Sequence, residues 1–447
     1  MSLETSLSKD RLGRPAPTFD AVSFLTIYLV LLCAIPSYLS LPVLGSVGRP
    51  SVLWGLAGIA WWLFFRLQRV TSLSTASWYP KVAALLFFSS IMLSSAISNL
   101  MGQPAHLSTT SQSSLIRTLS WAGVVLVAID GIPNKERLLV LLRRVTFIGA
   151  LMALLGLAQF FTKEALIDQI VFPGFVVDEG AGYTYDRGGF TRSAATAAHP
   201  LEYGAVLCFT IPLAFVLAHV DRQRGAVRRW TPLVLIAFAS AISMSRSAIV
   251  GIALGLALVL PVIPARLRLR AVLGAIGLGA ALVIAVPGMI GTIRGLFLGI
   301  SAEPSSVSRI DSAGQAVDIA VRHPFFGQGL SAFNPTELIL DNQVLLMFIE
   351  LGTFGVLTFS LFLFCSFIAG WHVAKVSRGK EWKFIGPPVS AGIASGATTF
   401  LFFDGLSFGI SAGLLFLMMG IGGSLPRLQA HDAANPGSED ALGEIGA

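Results

Sequence analysis

Five arginines, Arg187, Arg192, Arg246, Arg309 and Arg322, stand apart from the basic clusters that punctuate the rest of the chain. Arg246 is the extreme case: it is the only charged residue between Thr231 and Ala265. A guanidinium carries a rigid fork of donors that matches phosphate oxygens. Ionisable groups placed against a bilayer are costly and mark function, although an arginine can also snorkel to the interface and only anchor a turn. Carboxylates supply the second kind of chemistry. Asp341 opens "DNQVLLMFIELG" (341–352), and Glu202 follows His199 by three residues in "AAHPLEYG" (197–204). Asp341, Glu202 or His199 could take a proton from a hydroxyl as a general base. Both carboxylates would also be favoured as caps at the positive end of a helix. Glu350 lies two to three turns further along its segment and is expected either to pair with a polar neighbour or to sit near the substrate path. Asp404, in "FFDGLSFG" (402–409), reads as the cap of the last helix.

The elements that must position these groups are apolar helices. The chain has 447 residues, of which 54% are hydrophobic and 12% charged, and its mean hydropathy is +0.76. Soluble domains carry roughly 25% charged residues, so this composition belongs in a bilayer. The net charge of +7 is scattered in short connections, with no soluble basic face for nucleic acid. Cys33, Cys208 and Cys365 each lie in an apolar run without metal spacing. No phosphate-binding loop, metal motif or cofactor motif is present.

A spanning helix needs about 20 apolar residues. Twelve candidates follow: 21–39, 51–67, 81–99, 115–130, 143–161, 199–219, 231–244, 247–264, 271–290, 343–370, 385–403 and 406–424. With both termini in the cytoplasm, 22 of the 31 basic residues fall inside, in accord with the positive-inside rule. Thirty-five helical residues from 231 to 265 would extend about 52 Å, well beyond the roughly 30 Å hydrocarbon core. "SMSRSA" (243–248) is therefore expected to be a tight outer hairpin, with Arg246 at the outer surface. Two long outer segments remain, about 162–198 and 291–340. Within the second, Ile310, Ala313, Val317 and Ala320 recur at helical spacing, which predicts a short amphipathic helix over 308–321 ended by Pro324. The expected organisation is a cytoplasmic segment 1–20, a polytopic domain 21–425 and a disordered cytoplasmic tail 426–447.

Several of these pieces together resemble the O-antigen ligase and polymerase superfamily of bacterial inner-membrane proteins. The resemblance is carried by Ser245-Arg246 between two apolar helices, by Arg309 at the opening of a loop helix, by "HPFFGQGLSAF" (323–333) with its proline and G-x-G, and by "DNQVLLMFIELGTFG" (341–355) with E-x-G-x-x-G through Glu350, Gly352 and Gly355. "FTRSAATAAHPLEYG" (190–204) is similar to the family's arginine and histidine-proline approach to a helix. It spans roughly 185–425. The resemblance implies an all-α, GT-C-like membrane fold and a metal-independent, inverting glycosyltransferase with an undecaprenyl-pyrophosphate-linked glycan as donor. By residue it implies Arg246 and Arg309 as pyrophosphate ligands, with Asp341 at or near the base position; Arg187 and Arg192, read from their place in the first long segment, are either further glycan or phosphate contacts or ordinary loop charge. Ligases of this family carry histidine-asparagine where this chain has Asp341-Asn342, which tilts the expectation toward a polymerase, with a chain-length regulator as a possible partner. A ligase joining finished glycan to a lipid core or protein, and a transporter or flippase of lipid-linked sugar, are the alternatives.

Overall fold

The computed structural model describes residues 19–434, except 69–74, 103–104, 178–184, 188–189, 244, most of 266–303, 334–337, 339, 378 and 380. Twelve helices of ten residues or more are described: α1 (Ala21–Ala34), α2 (Pro50–Gln68), α3 (Trp78–Leu100), α4 (Ala105–Gly131), α5 (Lys135–Thr162), α6 (Pro200–Val220), α7 (Ala226–Ile242), α8 (Arg246–Val259), α9 (Pro304–Ala320), α10 (Gln343–Val376), α11 (Trp382–Thr399) and α12 (Gly409–Ala434). Seven of them, α2 to α6, α10 and α12, are long and apolar enough to cross a membrane, and α1 and α8 are shorter apolar helices. The expected span at 271–290 lies almost wholly outside the described residues. The chain is thus an all-α polytopic membrane protein in which α6 and α12 are buried at the centre.

The only strands among the described residues belong to the long connection between α5 and α6 and to the segment after α1 that pairs with it. Leu39–Ser40 pair antiparallel with Val176–Val177, and residues 185–187 pair with 190–192 in a hairpin. Ionic contacts gather at the opposite end of the bundle. Lys135 meets Glu381 at 2.6 Å and Asp432 at 3.2 Å, Arg137 meets Asp20 at 2.6 Å, Arg143 meets Asp221 at 2.6 Å, and Lys81 meets Asp130 at 2.5 Å. These pairs explain one departure from expectation. The tail was expected to be disordered from 426, yet α12 continues to Ala434, because Asp432 also accepts the Trp382 indole N–H at 2.9 Å.

The tenth span is not one helix. Gly352 has φ 66° and ψ −171°, so α10 is a half-helix to Leu351 followed by a second helix of about 24 residues. At about 1.5 Å per residue the second piece alone reaches ~36 Å, enough to span. Broken backbone at membrane depth is tolerated only where protein satisfies it. Here the segment "PFFGQG" (324–329) does so. The Gln328 and Gly329 N–H groups donate to the Ile349 and Glu350 carbonyls at 2.9 and 2.8 Å, and the Thr353 and Phe354 N–H groups donate to the Pro324 and Phe325 carbonyls at 2.8 and 3.1 Å. Ser94 of α3 covers the junction, donating to the Phe326 carbonyl at 2.6 Å and the Glu350 carbonyl at 3.0 Å. The two glycine motifs are therefore two sides of one contact. A Cβ at Gly352 would stand 2.5 Å from the Phe325 carbonyl, on a backbone conformation that side chains rarely adopt.

Helix α9 is the amphipathic helix expected in the second outer segment, but its buried stripe differs. Ala316 and Ala320 pack on Phe333, Leu340 and Ile349, with Ile319 beside them, whereas Val317 is 45% exposed. We predict that Gly352→Ala lowers the melting temperature in detergent markedly, through backbone strain of about 1–3 kcal/mol and the clash with Phe325. Gly314→Ala, whose added methyl meets open space inside α9, serves as the control and leaves it unchanged or slightly raised, since Ala favours a helix interior over Gly.

Candidate active site

The helix N-termini of α6, α8, α10 and α12 meet at the end of the bundle opposite the ion pairs. Each is capped differently. In α6 the cap is His199, whose Nδ1 accepts from the Leu201 N–H at 3.1 Å. In α8 it is Ser245, whose hydroxyl accepts from the Ala248 N–H at 3.4 Å and bonds the Ser247 hydroxyl at 2.8 Å. The starts of α6 and α8 touch at Gly204, whose added Cβ would lie 3.3 Å from Ala248 and 3.8 Å from Ser245. In α10 the cap is Asn342, whose Oδ1 accepts from Val344 at 2.9 Å and Leu345 at 3.2 Å. The cap expected of Asp341 is thus performed by its neighbour, and the Asp341 carboxylate is placed one residue outside the helix.

Glu202 caps a helix other than its own. Its Oε1 accepts from the Ile410 N–H at 2.6 Å and the Ser411 N–H at 3.4 Å at the start of α12. Its Oε2 accepts from the Ala198 N–H at 2.8 Å and the Ser37 hydroxyl at 3.0 Å. The side chain is fully buried, and both oxygens are engaged. Glu202 thus serves the capping role that it could also play, at the start of α12 rather than of its own helix. His199 is a poor base. Burial first, and the Arg192 charge second, push its imidazole down to about 4, against a smaller pull from Asp341. Neutral at pH 7 and accepting through Nδ1, it carries its hydrogen on Nε2 and acts as a donor.

What remains at the rim is a cluster of charge. Arg192, half-buried at the end of the 190–192 strand, and Asp341 both lie within electrostatic reach of His199. Asp404 joins them from the α11–α12 connection. Burial, with the Asp341 charge adding to it, pushes its carboxyl up to about 6 despite a hydrogen bond with Ser407. Asp404 is not the cap of α12, whose first N–H groups are taken by Glu202. The connection is held against α10: the Gln343 N–H donates to the Phe400 carbonyl at 2.9 Å, and the Gln343 Oε1 accepts from the Leu406 N–H at 2.7 Å. Arg246 is half-buried as the first residue of α8.

Below the rim lies a cavity of about 30 Å³ lined by Arg117, Ser331, Gln343, Glu350 and Ser407, room for about two waters. Glu350 is buried, with Arg117 and Asp404 in electrostatic reach and the Ser331 N–H on its carboxylate. Arg117 also donates to Ser114 at 2.7 Å. The structure thus brings Arg192, His199, Asp341 and Asp404 together at the rim and Glu350 beneath it. The side chains of Arg187 and Arg309 lie outside the described residues, as does the loop 291–303. Among the described residues, no three His, Cys, Asp or Glu side chains come together as a metal site requires. Asp404 and Arg117 were missed as site residues; the available signal was an isolated acid and an isolated base at the outer ends of apolar runs.

Fold and site together define a polytopic helical membrane protein with a charged pocket of arginine and carboxylate at one membrane face. Residues 231–360 match the family model described as O-Antigen ligase. The match covers less than a third of the chain and includes Arg246, Arg309, Asp341 and the junction at Gly352; it supports placing the chain in the O-antigen ligase and polymerase superfamily. No curated protein matches the chain.

Replacing Glu202 by Gln puts an amide N–H₂ among four donors. We expect a loss of about 1–3 kcal/mol of stability, as for buried donors left without an acceptor, seen as lower thermal stability and abundance in membranes. Activity per folded molecule should persist if the carboxylate is structural, and its selective loss would favour Glu202 as a base.

Proposed function

We propose that the chain is a glycan polymerase of the bacterial inner membrane, with both termini cytoplasmic and the rim facing outward. In this reading it transfers an oligosaccharide from an undecaprenyl-pyrophosphate-linked donor to a sugar hydroxyl, with inversion at the anomeric carbon, within a GT-C-like fold. The observation that carries the reading is the convergence of four helix N-termini, Arg192, Arg246 and a carboxylate rim at one end of a membrane bundle, in a chain whose matched segment is of the O-antigen ligase family. Pyrophosphate leaves as the new bond forms, so negative charge builds on its oxygens. Fixed guanidiniums at a low-dielectric boundary hold that charge as it develops, and the helix N-terminal dipoles act in the same direction. Arg246 and Arg309 are assigned to the pyrophosphate, Arg187 and Arg192 to the glycan or its phosphate, and Asp341 to the base position. Acidic residues at the rim suit proton removal from an acceptor hydroxyl, and Asp341-Asn342 in place of the ligase histidine-asparagine favours chain extension over transfer to a lipid core.

Transport is the reading that the break in α10 brings forward, since discontinuous helices coordinate cargo in many transporters. In this chain the carbonyl and N–H groups freed at the break are taken by residues 324–329, which leaves them no cargo to bind.

Sizing the lipid-linked glycans of a deletion strain separates the three. Single repeat units on the outer leaflet support a polymerase, long unattached chains a ligase, and units held in the inner leaflet a flippase. In the complemented strain we expect Arg246→Ala and Arg246→Lys both to cut chain extension by more than tenfold at normal protein abundance, because Lys keeps the charge and loses the fork. Wild-type extension in Arg246→Ala would remove Arg246 from the site.

A further inference from the structure

At the end of the bundle opposite the rim, Lys81, Lys135, Arg137 and Arg143 each meet a carboxylate at 2.6 Å or closer. The α6–α7 connection, "DRQRGAVRRW" (221–230), breaks this pattern with four arginines and one acid. That acid, Asp221, is buried and already held by Arg143, which donates to its two oxygens at 2.7 and 2.6 Å. Arg224 reaches it only at 3.8 Å. The side chains of Arg222, Arg228 and Arg229 make no ion pair or hydrogen bond among the described residues. The Arg229 Nε is buried without an acceptor. Arg228 and Arg229 also stand in the first turn of α7, where the helix dipole disfavours cations, and Gly225 before them supplies no side-chain cap. The chain thus concentrates positive charge where its own structure offers no anion. An apolar stripe begins at the same turn. Val227, Trp230 and Val234 follow one another at helical spacing along α7 and are all exposed, Val227 at 78%. Trp230 is fixed by edge packing on His219 of α6, with 4.9 Å between the rings.

We propose that the α6–α7 connection binds the headgroup of an anionic phospholipid, with Arg222, Arg228 and Arg229 on the phosphodiester and the stripe of Val227, Trp230 and Val234 along an acyl chain. Clusters of basic residues next to a membrane helix attract anionic lipids, and guanidinium forks match phosphate oxygens. The phosphate supplies the acceptor that the buried Arg229 Nε lacks and offsets the repulsion among the arginines. An exposed apolar stripe on a helix of a membrane bundle faces acyl chains, and tryptophan sits at headgroup level. Charge and stripe therefore lie at the depths that the two parts of one lipid occupy. That coincidence is what distinguishes a lipid from free phosphate, which has nothing to place on the stripe. A zwitterionic lipid carries the same phosphate but brings its own cation to the cluster, so the site prefers a lipid with net negative charge. The connection is held in shape by the Arg143 contacts to Asp221 and, at 3.3 Å, to Gln223. The site is thus formed before the lipid arrives. It stands apart from the rim and does not depend on the reaction assigned there.

The test titrates short-chain lipids into the purified full-length protein in a neutral detergent and follows its melting temperature. Dihexanoyl phosphatidylglycerol should raise it saturably, and less so as salt is added. Dihexanoyl phosphatidylcholine and inorganic phosphate should each act at roughly tenfold higher concentration or more. Arg228→Gln combined with Arg229→Gln should weaken the phosphatidylglycerol response by roughly tenfold or more. Lys375→Gln combined with Lys383→Gln, which removes two exposed charges from the same end of the bundle, should leave it unchanged. Equal weakening by the two double variants overturns the site, since general surface charge would then account for the response. An equal response to the two lipids, or none, overturns it as well. Inorganic phosphate acting as tightly as phosphatidylglycerol overturns the lipid assignment. If the double arginine variant does not accumulate, Arg222→Gln decides: a severalfold weaker phosphatidylglycerol response supports the site, and an unchanged one contradicts it.

Discussion

The buried carboxylate of Glu202 is the contact on which the charged end of the bundle depends. It joins the first turn of α6, the first turn of α12 and the connection after α1 through four hydrogen bonds. A carboxylate is suited to this because helix N-termini expose unpaired N–H groups with a positive dipole end. Without it, two helix ends would meet with donors facing donors in a medium that offers no water. With it, the start of α6 is fixed, and so is its neighbour α8, which carries Arg246. The geometry of the rim follows from this one anionic cap.

A second constraint acts on α10. The bilayer forbids unsatisfied backbone, yet the rim requires that Asp341 and the half-helix behind it sit beside the α11–α12 hairpin. Breaking the helix at Gly352 permits that placement, and the segment of residues 324–329 repairs the hydrogen bonds lost. The same repair brings Ser331, itself in a left-handed conformation at φ 54°, to donate its N–H to Glu350. The junction and the cavity are thus products of one local solution.

Much of the fold was legible because hydrophobic length and the distribution of Lys and Arg are strong signals in membranes. Seven of the twelve expected spans coincide with described helices long and apolar enough to cross, and the turn at Ser245-Arg246 and the helix before Pro324 appear close to where they were expected. The break at Gly352 was not legible as such: E-x-G-x-x-G is compatible with a continuous helix, and only the partner segment 324–329 reveals why both glycines are needed. The helix that Glu202 caps was not legible, because spacing places it near its own helix end, while the Ile410 and Ser411 N–H groups it accepts from are more than two hundred residues away in sequence. Asp341 and Asn342 exchanged roles for a subtler reason. Either side chain can cap a helix, and sequence order alone does not say which oxygen reaches the Val344 and Leu345 N–H groups. Asp404 was assigned to capping because a cap is the commonest use of an acid before a helix, but the cap of α12 is supplied in trans.

The central claim is that the rim transfers glycan from a lipid-linked pyrophosphate. The most direct measurement reconstitutes the purified full-length protein in liposomes with a polyprenyl-pyrophosphate-linked repeat unit and follows two products together. The account predicts that one equivalent of free polyprenyl pyrophosphate is released for each repeat unit added to the growing chain. Movement of the lipid-linked unit between leaflets with neither release nor chain growth would contradict it.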